Sequence, residues 1–79
     1  MVKLFNIKRD SNYIYADYHP VGYDGTGSVT VRLSNGERTD WKKPEGDAGH
    51  PWFVRFAEKR LRQIMNMDEL PAQTSIAWY

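Results

Sequence analysis

The sequence predicts an α+β domain, a mostly antiparallel sheet in the order β-β-β-β-α-β with one helix packed on one face. Three observations predict it. Residues 51–67, PWFVRFAEKRLRQIMNM, form the one run long enough and periodic enough for a full helix. The stretches before it alternate apolar and polar side chains between turn signals, the period of half-buried strands. One more short apolar stretch, TSIAWY, follows it.

The elements follow in order. Residues 2–9 read as a strand with Phe5 and Ile7 on one side, Asn6 and Lys8 on the other, and Leu4 apolar as well. Asp10, Ser11 and Asn12 mark a turn, because their side chains bond readily to nearby backbone. In residues 13–18, Ile14, Ala16 and Tyr18 share one face, and Tyr13, Tyr15 and Asp17 share the other. The stretch HPVGYDGTG, residues 19–27, is a glycine-rich loop or wide hairpin tip. Residues 28–33 are the cleanest strand, with Val29, Val31 and Leu33 facing in and Ser28, Thr30 and Arg32 facing out. Ser34-Asn35-Gly36 then gives the strongest hairpin signal, since Asn-Gly accepts φ > 0 at both central positions. Residues 37–41 return, and residues 42–50 are a polar linker.

In the helix, Phe53, Val54, Ala57, Leu61, Ile64 and Met65 fall within one broad arc at about 100° per residue. Arg55, Glu58, Lys59, Arg62 and Asn66 lie opposite. Pro51 suits the first helical position, where its missing N–H has no intrahelical partner. Gly49 and His50 are weak caps, and Asp47 is placed to help the first-turn N–H groups. The stop is expected near Met67, and Pro71 bars continuation. Residues 74–79 read as a last strand with Ile76 and Trp78 on one face and Ala77 and Tyr79 on the other.

Strand directions constrain the sheet. Four hairpin-joined strands form a meander, and the helix returns the chain so that strand five lies antiparallel beside strand one, order 5-1-2-3-4. The alternative is a right-handed crossover placing it parallel beside strand four. The first is preferred, because strand one would otherwise be a long apolar edge. One sheet and one helix leave a sheet face open, with Tyr13, Tyr15, Asp17, Thr30 and Arg32 on it.

Composition bounds the rest. Seventy-nine residues make a single domain, 1–79. A chain this size buries only about 60% of its unfolded surface. It has no Cys, so neither a disulfide nor a thiolate metal site is available. Its three Trp and five Tyr read as compensation through aromatic packing, and a homodimer would serve the same end. Eleven basic and ten acidic residues give +1, which is no footprint for duplex DNA. No apolar leader and no run near the ~20 residues of a membrane span are present, so a cytoplasmic location with no membrane partner is expected.

Little in the sequence points to catalysis. The loop GYDGTG precedes a strand rather than a helix and lacks GK[ST], so it does not meet the needs of a phosphate loop. His19 and His50 have no metal-site spacing, and no nucleophile stands in a recognisable elbow. No catalytic, cofactor or metal residue is assigned, and a chain this small has little room for a substrate pocket.

Binding is the expectation. Trp52, Phe56, Lys59 and Gln63 form a second stripe beside the core arc of the helix, read either as cover for the sheet edge or as a surface for a partner. With Tyr13, Tyr15 and Arg32, the residues Trp52, Phe56 and Lys59 are the candidate contacts of a non-catalytic protein-binding module, whose partner is a host protein or a second copy. The alternative is a single-stranded nucleic-acid binder: Lys3, Lys8, Arg9, Arg32, Lys42 and Lys43 lie on or next to strands, and Tyr13 and Tyr15 can stack bases.

The segments LFNIKRDSNYIYADYHP, VTVRLSNGE and LPAQTSIAWY give the chain a layout that resembles short proteins, of no established activity, from phages and mobile elements of Gram-positive bacteria. The shared features are an initial strand pair, a glycine-rich tip, a second hairpin, a helix and an aromatic end. The resemblance covers most of the chain and transfers no functional residue. It implies a context in which small proteins bind or inhibit host factors, host-defence inhibitors such as anti-CRISPR proteins among them. The acidic DNA mimics of that group are not matched by a charge of +1.

Overall fold

Alternating side chains in the first half of the chain build four consecutive strands: β1 (Val2–Arg9), β2 (Tyr13–Pro20), β3 (Gly27–Arg32) and β4 (Arg38–Lys42). The helix α1 (Trp52–Ile64) and a short β5 (Thr74–Ile76) complete the fold. In this computed structural model, residues 1–44 and 52–77 are described; the expectations for Asp47, Gly49, His50, Pro51, Trp78 and Tyr79, and for the Trp52 side chain, lie outside them. The five strands form one antiparallel sheet in the order β4-β3-β2-β1-β5, the expected topology. β5 covers β1, pairing Val2 with Ile76 and Leu4 with Thr74.

The helix lies across one face of this sheet. Val54, Ala57, Leu61 and Ile64 meet Val2, Leu4, Ile14, Ala16, Tyr18, Val29, Val31 and Ile76 in one buried cluster. Phe53, Phe56 and Met65 are partly buried against it, together with Ile7, Leu33 and Leu70. Apolar residues recurring at three and four on the helix and at two on the strands therefore share one core, as expected. The radius of gyration, 11.6 Å, matches the roughly 11.6 Å of a single compact body this long.

Strand ends shift against the sequence expectation, with His19 and Pro20 in β2, Gly27 rather than Ser28 opening β3 and β5 spanning only Thr74–Ile76, and four further local features differ. The first is in β1. Phe5 pairs with Asp17 and Lys8 with Tyr15, so Asn6 and Ile7 together oppose one residue. Asn6 sits at φ 52, the left-handed region that Asn tolerates better than most, and the strand bulges there. The extra residue reverses the facing of everything after it. Val2 and Leu4 point into the core before the bulge and Ile7 packs on it afterwards, whereas Phe5 points to the open face rather than sharing a side with Ile7.

Second, the β3–β4 connection, residues 33–37, holds a four-residue turn, residues 33–36, closed between Arg32 and Glu37. Gly36 N–H donates to Arg32 O (2.8 Å) and Arg32 N–H to Glu37 O (2.8 Å). Only Gly36 takes positive φ, 72°; Asn35 instead accepts the Glu37 N–H on Oδ1 at 3.0 Å. An Asx bond replaces the left-handed conformation expected for Asn35. Third, α1 ends at Ile64 rather than near Met67, and the Met67 N–H donates to Ile64 O (3.0 Å) in a closing turn. Fourth, β4 runs one residue later than expected and is irregular where Arg38 and Asp40 meet Val31 and Thr30.

The β1–β2 turn behaves as expected and is sensitive to acid. The Asp10 carboxylate accepts N–H bonds from Asn12 (2.8 Å) and Tyr13 (2.7 Å), which hold its pKa below the usual carboxylate value. A depressed folded-state pKa supplies stability above the unfolded value, about 3.8, and loses it as pH falls through the folded one. Asp10→Asn keeps the acceptor without the charge. Urea unfolding should therefore show a wild-type advantage that is constant above about pH 5 and shrinks below pH 3.8. An advantage that persists unchanged to about pH 2 would contradict the charged turn.

Candidate functional site

Residues that pair across an antiparallel sheet share a face, so the register places every side chain on the open side. Lys3 stands opposite His19, and Phe5 opposite Asp17, which faces Ser28 and then Lys42. Lys8 stands opposite Tyr15, which faces Thr30 and then Asp40, and Tyr13 stands opposite Arg32. Phe5, Tyr13 and Tyr15 thus lie on one surface among Lys3, Lys8, Arg32 and Lys42. Against those four cations stand two carboxylates, Asp17 and Asp40, a net +2 on this face.

The middle of the face is fixed by a side-chain network. The Tyr15 phenol donates to Asp17 Oδ1, and Asn6 Nδ2 donates to Asp17 Oδ2 at 2.8 Å. The bulge at Asn6 thereby delivers the amide that completes the Asp17 carboxylate. Asp17 and partial burial push the Tyr15 pKa up, while Ser28 on the phenol oxygen pulls it the other way. The bond to Asp17 fixes the Tyr15 phenol in place on the sheet. Tyr13 is freer, 39% exposed at the end of β2. It lines a shallow depression of about 140 Å³ with Ser11, Asn12, Arg32 and Ser34. A second depression, about 220 Å³, lies by Lys3, Gln73, Thr74 and Ser75. Both are smaller than the roughly 300–1,000 Å³ of ordinary small-molecule pockets.

The sequence candidates divide between two regions. Tyr13, Tyr15 and Arg32 come together on the open face. Lys59 is exposed on the far side of the sheet, on α1, and Phe56 beside it is partly buried against the core. Phe56 therefore has a packing role. Arg9 leaves the nucleic-acid set. The bulge turns it toward the helix, where its guanidinium donates to the carbonyls of Met65 (2.9 Å), Met67 (2.6 Å) and Asp68 (3.3 Å). Phe5 joins the face without having been expected there. The phase break between Leu4 and Ile7 was the signal for it.

Another aromatic and charged group lies at the β4 edge on the helix side. The Arg38 guanidinium stacks 4.2 Å over the Trp41 ring and lies 3.7 Å from Glu58, which also binds Arg62 at 2.6 Å. Trp41 remains 47% exposed. The glycine-rich loop is not a phosphate cradle of the helix-opening kind, because β3 follows it. Gly22 and Gly25 take φ 93 and 88, His19 donates Nδ1–H to Gly25 O (2.7 Å), and Tyr23 packs on Phe53 with ring centroids 4.7 Å apart. Among the described residues no cluster of three or more His, Asp or Glu could hold a metal ion, and no helix is long and apolar enough to cross a membrane.

No protein-family model, no curated protein and no solved structure matches the chain. Function is therefore read from the surface itself.

Proposed function

We propose that the chain is a non-catalytic binding module that works through its open sheet face, and that the ligand this face fits best is single-stranded nucleic acid. One observation carries the reading: Phe5, Tyr13 and Tyr15 lie interleaved with Lys3, Lys8, Arg32 and Lys42 on the single open face. Unpaired bases stack on aromatic rings regardless of sequence, and cations beside the rings meet the phosphates. An open sheet face with exposed rings suits an unpaired strand and not a duplex, whose bases are already stacked.

The test is fluorescence anisotropy with labelled ten-nucleotide DNA and RNA at several salt concentrations. Binding should weaken with salt, and a plot of log K against log salt should slope at about −3 or less steeply, the limit set by four cations on a single strand. Tyr13→Ala should weaken binding about tenfold with the fold intact, because one stacked base is worth about 1–3 kcal/mol. Absence of binding to both oligonucleotides at low salt would sink the reading.

A protein partner, such as a host factor, is the second reading. It is favoured by Asp17 and Asp40 among the cations and by the half-exposed Trp41 at the edge, since Trp, Tyr and Arg carry most interface energy. A face that ignores oligonucleotides but loses a captured protein on Tyr13→Ala would support that reading instead.

A further inference from the structure

β4 is the outer strand of the sheet, and no strand among the described residues pairs with its far side. Four of its five residues are exposed. Edge strands present a row of backbone groups ready to pair, and proteins usually blunt them with bulges, prolines or lysines. Here the irregularity sits at the start of β4, around Arg38, and Lys42, Lys43 and Pro44 sit at its end. The part from Asp40 to Lys42 runs in regular register with Thr30, Val29 and Ser28.

We propose that the chain forms a weak symmetric dimer by antiparallel pairing of β4 with β4 of a second copy, centred on Trp41. The charges select this register. A two-fold axis perpendicular to the sheet keeps both open faces on one side, and paired residues must share a face, so the axis passes through a residue pair. Centred on Asp40, the pairing sets Asp40 against its own copy. Centred on Lys42, it sets lysine against lysine. Centred on Trp41, it sets Asp40 against Lys42 of the second copy, twice, and Trp41 against Trp41. Opposite charges directly across a ladder stabilise it and like charges destabilise it, so of these three registers only the one centred on Trp41 is complementary throughout.

The inference is independent of the ligand reading, although it has a consequence for it. Asp40 and Lys42 lie on the open face, so the dimer joins two five-stranded sheets into one continuous surface. Pairing along one five-residue strand buries less than the ~1,000 Å² of a stable interface, so the dimer is expected to dissociate in the micromolar range or above.

Sedimentation velocity from about 10 μM to about 1 mM tests it. The mean mass should climb from 9.2 kDa toward twice that value as concentration rises. Asp40→Lys and Lys42→Asp should each weaken dimerisation about tenfold or more, by setting like charges across the axis. The double swap, Asp40→Lys with Lys42→Asp, restores opposite charges and should recover the dimer. A monomer at the highest concentration overturns the proposal. So does a dimer indifferent to the single swaps, or one that the double swap fails to recover. Should a variant lose its fold, the wild type still decides: amide exchange in residues 39–43 must slow as concentration rises, and unchanged exchange overturns the pairing.

Discussion

Gly27→Ala should cost about 3 kcal/mol or more and lower the melting temperature by about 15 °C, a large effect for a single methyl group. Gly27 opens β3 directly opposite Tyr18, whose ring is fully buried. A Cβ on Gly27 would meet Tyr18 Cζ at 2.5 Å, Tyr18 Cε1 at 2.7 Å and the Lys42 carbonyl oxygen as well. Gly27 is not among the glycines with positive φ, so the penalty is steric and not conformational. The ring fills the place of the missing side chain and sends its hydroxyl on to Lys42 O, 3.3 Å away. A domain of 79 residues is worth only about 4–12 kcal/mol, so the loss is a large part of the whole. Gly22 is the control. It takes φ 93 with nothing within 4 Å of an added Cβ, so Gly22→Ala carries only backbone strain, about 1 kcal/mol. Tyr18→Leu should relieve Gly27→Ala only in part, because the Lys42 carbonyl belongs to the backbone and cannot rotate away. Thermal melts of the two alanine variants decide it, and a Gly27→Ala cost no greater than that of Gly22→Ala would show that the close approach is absent.

The contrast between these glycines shows where sequence reasoning ends. The order of the sheet was legible, because an apolar β1 edge needs a cover and β5 is the strand whose direction lets it cover Val2 and Leu4. The faces of β2 and β3 were legible from strict alternation, which placed Tyr13, Tyr15 and Arg32 together before any coordinates. Alternation fails where a strand gains a residue. In β1 the apolar positions Val2, Leu4 and Ile7 break phase by one, and Asn6 is a residue type that accepts the left-handed turn such a bulge needs. Reading both signals together would have moved Phe5 to the open face. Gly27 gave no comparable signal, because its role depends on a ring nine residues earlier in the chain. The same holds for Phe56, whose neighbours are set by how the helix lies on the sheet and not by its own periodicity.

Arg9→Met should destabilise the fold by about 1–2 kcal/mol, although Arg9 lies on the surface. A helix ends in carbonyls without intrahelical partners and carries partial negative charge there. In α1 a strand residue meets that charge and holds the turn that closes the helix: the Arg9 fork reaches Met65 O, Met67 O and Asp68 O just past the last helical residue, Ile64. Arg62 is the one basic residue of the last turn, and it is engaged with Glu58 (2.6 Å) and Gly36 O (3.4 Å). Hydrogen bonds to a charged donor contribute about 1.5–3 kcal/mol, and exposure draws the figure to the lower end. Methionine keeps the stem against the helix and removes the donors. Lysine keeps the charge but offers a point in place of a planar fork, so Arg9→Lys should recover less than half of the loss. The loss should be local as well as global. Amide exchange should quicken at residues 62–67, where the helix frays, and change least at the centre of the β2–β3 ladder. Equal stability of Arg9→Met and wild type would refute the cap. The cap also depends on the bulge, since one extra residue at Asn6 is what turns Arg9 from the open face to the helix. Straightening the strand with no residue deleted would carry Arg9 to the ligand face and Lys8 to the helix side, and the three carbonyls would lose the fork.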